Sequence, residues 1–152
     1  MRNSLILSSA TFLVGTLLGV TIASAPHASA SSGRQPATVH YLEIVTRDVD
    51  AVVAAYTASL DVQFSEPEAA LGGARTVSLP GGGLLGVRGP LRDDEEPIVR
   101  PYWLVPDIEA AVDAVVAAGG QVAHPPLEIP GYGTFAIYYQ AGNDHGLWQL
   151  NP

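Results

Sequence analysis

Hydrophobic positions along this chain follow two rhythms, and the same order of rhythms occurs twice. Val39-His40-Tyr41-Leu42-Glu43-Ile44-Val45 is rich in β-branched and aromatic residues, as strands are. Asp48 follows as a helix N-cap, and Val49, Val52, Val53, Tyr56 and Leu60 recur at the spacing of one helix face. Asp61 ends that helix, a residue type that tolerates a left-handed turn. The second copy opens with Val99-Arg100-Pro101-Tyr102-Trp103-Leu104-Val105. Asp107 then caps a stripe of Ile108, Ala111, Val112, Val115 and Val116, stopped by Gly119-Gly120. The two Asp caps lie 59 positions apart and the helices align without a gap. Strands are expected at 61–71, 74–79 and 83–88 in the first copy, and at 121–129, 134–139 and 145–150 in the second. Pro80-Gly81-Gly82-Gly83 and Ala141-Gly142-Asn143 fall in matching places as hairpin turns.

The pattern predicts an α+β domain over 39–152, built of tandem βαβββ modules (39–88 and 99–150) joined by a linker over 89–98. Neither module has enough residues to cover both faces of its own sheet, so the two must pack together. The expected product is a curved mixed sheet with helices on its outer face and a central concavity on the other. Alternation along the first strand assigns Leu42 and Ile44 to the helix side, leaving Tyr41, Glu43 and Val45 for the concavity. The linker's acid run, Asp93-Asp94-Glu95-Glu96, reads as a solvated loop.

This order resembles the vicinal oxygen chelate superfamily, the group of glyoxalases, bleomycin-resistance proteins and extradiol dioxygenases. The resemblance is carried by Tyr41-Leu42-Glu43-Ile44-Val45-Thr46-Arg47-Asp48 with Ala55-Tyr56, and by Leu104-Val105-Pro106-Asp107 with Ala118-Gly119-Gly120. Further carriers are Pro125 to Gly131 ahead of Gly133-Thr134-Phe135-Ala136, and Gly142-Asn143 ahead of Leu147-Trp148-Gln149. The resemblance implies a divalent metal held by His, Glu or Gln at equivalent places in both halves. Those places here are Tyr41 and Arg100, seven residues before each capping Asp, and Gly86 and Gly146, four after each turn glycine. Neither Gly nor Arg supplies a ligand, and an Arg cation would repel the ion. On this register no metal and no other cofactor is expected. A site from His40, His145 and Glu43 would require both strands to slip by one residue. His124 borders a loop, and His27 belongs to the leader.

With the metal positions vacated, the expected cavity lining is Tyr41, Glu43, Arg88, Arg100, Tyr102 and Trp148, with Tyr138 a further candidate. Such a mixed wall holds a small organic molecule, and the planar forks of Arg100 and Arg88 suit an anionic group on it. Glu43 has two readings: a neutralising partner for the arginines, or the general base of metal-free proton transfer. Trp148 and Tyr102 are either core aromatics or ligand-stacking surfaces. Arg75, alternating with Val77 and Leu79, is peripheral.

Composition narrows the classes. The chain has 152 residues, 47% of them hydrophobic, and a formal net charge of −8; its seven basic residues are all Arg. An acidic chain without Lys is a poor ligand for phosphate backbones, so no nucleic acid is expected. Zero Cys excludes disulfides, thiolate metal sites and Cys nucleophiles. Ser4 to Ala25 carries no charge, and Ala28-Ser29-Ala30 offers small residues where a signal peptidase cuts. Residues 1–30 read as a signal peptide or as an uncleaved membrane anchor, and 31–38 as a polar tether. Both place the domain outside the cytoplasm, periplasmic or secreted. Three functions remain: an exported metal-independent binding domain, a superfamily-type enzyme (lyase, isomerase, dioxygenase, or proton transfer through Glu43), and an interaction module whose sheet faces dimerise or bind another chain.

Overall fold

The structure, a computed structural model, describes residues 37–152. The leader and most of the tether lie outside the described residues. Strand β1 (Val39–Val45) leads into helix α1 (Val49–Leu60), then β2 (Arg75–Ser78) and β3 (Leu84–Arg88). The second copy runs β4 (Ile98–Leu104), α2 (Ile108–Ala117), β5 (Gln121–Ile129), β6 (Gly133–Gln140) and β7 (Asn143–Gln149).

The helices start and stop for the expected reasons. Asp48 Oδ1 accepts from Ala51 N at 3.0 Å and Asp107 Oδ1 from Ala110 N at 3.0 Å, each satisfying a backbone donor with no partner inside the helix. Asp61 closes α1 at φ 54°, in the left-handed region. Val49, Val52, Val53 and Tyr56 of α1 pack with Leu42, Ile44, Leu85 and Val87 of the sheet. Ile108, Ala111, Val112 and Val115 of α2 pack with Ala136 and Leu147. Each fully buried Val or Leu in these layers contributes roughly 1.5–3 kcal/mol. The second hairpin turns through Ala141 at φ 50° and Gly142 at φ 79°, the paired positive φ of a two-residue turn.

The seven strands form one mixed sheet in the order β2-β3-β1-β4-β7-β6-β5. Within each copy the first and last strands pair in parallel, β1 with β3 and β4 with β7, while β1 and β4 meet antiparallel at the centre. Across that central pair Tyr41 faces Tyr102 and Glu43 faces Arg100. The 59-residue repeat carries position 41 onto 100 and 43 onto 102, so it exchanges these two pairs with each other. The cavity chemistry is therefore built around the seam of the repeat.

One expected strand is not formed. Residues 62–68 run irregularly, followed by a single 3-10 turn over Ala69–Leu71 and an isolated bridge between Glu68 and Ala74. The cause is local: the Glu68 backbone oxygen accepts from Leu71 N at 3.0 Å and Gly73 N at 2.9 Å. Gly72 and Gly73, at φ 65° and 78°, then turn the chain left-handed. Phe64 nevertheless stays buried against α1, so the segment keeps its place in the core.

Candidate functional site

On the sheet face opposite the helices, Tyr41, Tyr102 and Trp148 are each at most 3% exposed and pack together with ring centroids 5.5–5.8 Å apart. Trp148 and Tyr102 stand 85° to one another, the edge-to-face geometry that aromatic quadrupoles favour. Trp148 Nε1 donates to Tyr132 O at 3.2 Å. Both side chains are thus core aromatics, and they also form part of a cavity floor. The cavity has a volume of about 560 Å³ and includes all six expected residues: Tyr41, Glu43, Arg88, Arg100, Tyr102 and Trp148. Its walls are more apolar, from Leu127, Ile129, Phe135 and Ile137.

At the floor lies a buried ion network. Glu43, 5% exposed, accepts from Arg88 Nε at 2.7 Å on Oε1, and from Arg100 Nη1 at 2.5 Å and Tyr102 OH at 3.1 Å on Oε2. Arg88 continues outward to Glu95, with Nη1–Oε2 and Nη2–Oε1 both 2.9 Å, and Arg100 Nη2 reaches Asp144 Oδ1 at 3.2 Å. Desolvation alone would lower the two arginine pKa values. It is more than offset, for Arg88 by Glu95 and Glu43 and for Arg100 by Tyr102 and Glu43, so both remain firmly charged. Burial, and then the Glu43 charge, pushes the Tyr41 and Tyr102 phenols up. The Arg88 guanidinium holds the Glu95 carboxyl down at about 2, against its partial desolvation.

This arrangement revises three expectations. Every nitrogen of Arg88 and both Nη atoms of Arg100 are engaged by the protein's own oxygens, so an anion reaches either fork only by displacing one of them. Arg100 Nε and Tyr41 OH are buried without a hydrogen-bond partner. Tyr138 is on the helix side, stacked on His145 at 5.2 Å, because β6 sends Phe135, Ile137 and Tyr139 to the cavity and the intervening residues to α2. His124 does not border a loop: it lies in β5, stacked on Phe135 at 5.1 Å, and lines the cavity. Glu95 leaves the solvated acid run to become the outer partner of Arg88. Arg75 is peripheral, tied to Asp50 at 3.3 Å and to Ser65 O at 3.2 Å.

The four positions to which the resemblance assigns metal ligands do not fit a divalent cation. A Cβ placed on Gly86 would collide with the Tyr41 hydroxyl, and one on Gly146 with the Tyr102 ring, so two phenol rings lie where ligand side chains would grow. Of the other two positions, Arg100 brings a fixed positive charge and Tyr41 supplies one of those phenol rings. The strand register pairs Glu43 with Gly86 and Tyr102 with Gly146, and His145 turns to the helix side.

No family model matches this chain. A curated relative, "Putative glyoxylase CFP32" of Mycobacterium bovis, is 29% identical over 120 residues, as is its Mycobacterium tuberculosis counterpart. The match covers 75% of this chain and 46% of the relative, so the chain spans about half the length of the curated relatives it matches. Among solved structures, hypothetical protein BH1468 of Bacillus halodurans superposes with a TM-score of 0.62 at 14% identity, covering 78% of this chain and 97% of that one. Methylmalonyl-CoA epimerase of Mycobacterium tuberculosis gives 0.57 at 15% identity, covering 74% and 87%. The Streptomyces coelicolor epimerase, solved with 2-nitronate-propionyl-CoA, gives 0.57 at 15%, covering 75% and 97%. The fold is that of the vicinal oxygen chelate superfamily. Within that fold, this chain's seam between modules holds a carboxylate clamped by two guanidinium groups.

Proposed function

We propose that this vicinal oxygen chelate domain binds a small organic molecule in its central cavity, works without the superfamily's metal, and acts outside the cytoplasm. The observation that carries the reading is the cavity itself. Its volume of about 560 Å³ lies within the range of roughly 300–1,000 Å³ typical of small-molecule sites, and apolar walls stand over a floor of fixed charges. Glu43 serves here as the link between the two arginines rather than as a base, since both its oxygens already accept hydrogen bonds inside the floor. Export is supported by the uncharged stretch from Ser4 to Ala25 and the Ala28-Ser29-Ala30 site. Among the described residues no helix is long and apolar enough to cross a membrane.

The test is a titration of the full chain with a neutral fluorescent probe such as Nile red, before and after exhaustive dialysis against EDTA. The expected result is saturable binding and a melting temperature that chelation leaves unchanged. Ile137→Trp, which narrows the cavity from its wall, should weaken the probe at least tenfold while preserving the fold. Absence of binding, or loss of stability on chelation, would remove this reading.

A further inference from the structure

Arg88 ends β3 with only 4% of its side chain exposed, and its two edges are used differently. The Nε edge is taken by Glu43, a residue of the neighbouring strand β1. The outer edge, with both Nη atoms, is taken by Glu95 in a two-point carboxylate clasp at 2.9 and 2.9 Å. Glu95 belongs to neither strand nor helix but to the segment between β3 and β4. That segment carries its own brace, with Glu95 Oε2 also accepting from Leu91 N at 2.6 Å and Glu95 N donating to Arg92 O at 3.1 Å. Beyond this the segment is lightly held. Leu91 is 62% exposed, and the outer pairs Arg92–Asp94 and Arg47–Glu96 are solvent-exposed and contribute little.

Glu95 also stands at a boundary. It lines the main cavity together with Leu91 and Arg92, and it lines a neighbouring cavity of about 230 Å³ with Arg100, Tyr139 and Asp144. Glu43 covers only the Nε edge, so without Glu95 the two Nη atoms of this buried guanidinium would keep only the Gly89 carbonyl, and an arginine edge meant for an acid needs a stand-in while the cavity is empty. A carboxylate on a segment outside the strands and helices is suited to that task. Exchanging one two-point carboxylate for another conserves charge and hydrogen bonds. The difference between the two states is then the tether on Glu95 and the burial of whatever the incoming acid carries.

We propose that Arg88 is the carboxylate-binding residue of this cavity and that Glu95 is its displaceable internal surrogate. The ligand class is an organic acid with an apolar body. The body lies against Leu127, Ile129, Phe135 and Ile137, while the carboxylate takes the outer edge of Arg88 and frees the linker. This rests on the small-molecule reading above and names the chemical class of the ligand for the same cavity.

The experiment measures two matched probes, 4-phenylbutyrate and its neutral amide, on the full chain and on Glu95→Gln. Removing the surrogate's charge vacates the clasp, so the acid-to-amide affinity ratio should rise at least tenfold in Glu95→Gln. Glu95→Ala, at a position outside the sheet, should raise the same ratio. Arg88→Lys keeps the charge but loses the fork, and should cancel the gain when combined with Glu95→Gln. An unchanged ratio with the amide still bound overturns the role of Glu95 and leaves the binding function standing. If neither probe binds any of the proteins, both proposals fall.

Discussion

Replacing Glu43 by Gln separates a structural hub from a catalytic base more cleanly than any other single change. The side chain keeps its shape and loses its charge. Three donors converge on the carboxylate: Arg88 Nε at 2.7 Å, Arg100 Nη1 at 2.5 Å and Tyr102 OH at 3.1 Å. An amide presents one oxygen and one NH₂, so in either orientation at least one guanidinium N–H meets a donor. The loss is one charge-assisted hydrogen bond, worth about 1.5–3 kcal/mol, plus a buried donor left unpaired. Glu95 and Asp144 still partner the two arginines, which keeps the cost below the roughly 3–5 kcal/mol of a fully stranded buried charge. We therefore expect Glu43→Gln to destabilise the domain by about 2–4 kcal/mol, a large share of the roughly 5–15 kcal/mol typical of a domain. Urea unfolding of the full chain, followed by Trp103 and Trp148 fluorescence, reads this as a lower midpoint with an unchanged slope. A change below about 0.5 kcal/mol would refute the hub, because side chains presented to a cavity for chemistry are usually removed at little cost to the fold.

Three further outcomes follow from the same geometry. Gly146→Ala puts a methyl group into the ring of Tyr102, which is held between Trp148 and Glu43 and has little room to yield. It should cost about 3 kcal/mol by thermal unfolding, and an unchanged melting temperature would show that the ring is not fixed there. Glu95 is held at about 2 from an ordinary 4.5, so its stabilising contribution is complete above about pH 4.5 and is lost as pH falls towards 2. Wild type should exceed Glu95→Gln by about 1–2 kcal/mol at pH 7, discounted for a solvent-facing linker, and the two should converge near pH 2; a gap that persists there would count against the pairing. Arg100→Lys cannot span Glu43 on one side and Asp144 on the other from a point charge, and should lose about 2 kcal/mol in the urea assay despite conserving charge.

Period and punctuation made most of this molecule legible. Two Asp caps, two apolar stripes and the 59-residue offset were enough to place both helices and the strands that pair at the seam. Alternation from Leu42 and Ile44 sent Tyr41 and Glu43 to the cavity, where they are. What failed did so where local chemistry is ambiguous. Tyr138 and Tyr139 are adjacent aromatics, so composition cannot choose which one faces inward, and only the pairing of Phe135 with Trp148 fixes the phase. His124 precedes two prolines and reads as loop, yet register shifts on either side let β5 continue past them. Glu95 is one of four consecutive acids, and its selection by Arg88 depends on where the linker crosses the end of β3. The unformed strand over 61–71 was visible only in part, through Gly72-Gly73.

The resemblance implies a cation at the seam, and the charge pattern there ties the same strands together through the chain's own groups. In a metal site with donors from both modules, the ion is shared between the modules. Here the cations are covalent. Arg100 enters from β4 opposite Glu43 on β1, and Arg88 enters from β3 on the other side, so positive charge already bridges the strands that a metal would bridge. The two phenol rings then occupy the volume above Gly86 and Gly146, and a larger side chain at either glycine would displace them. Placing a donor at position 146 alone would therefore not create a metal site. It would first have to expel Tyr102, whose hydroxyl belongs to the same carboxylate that the arginines hold.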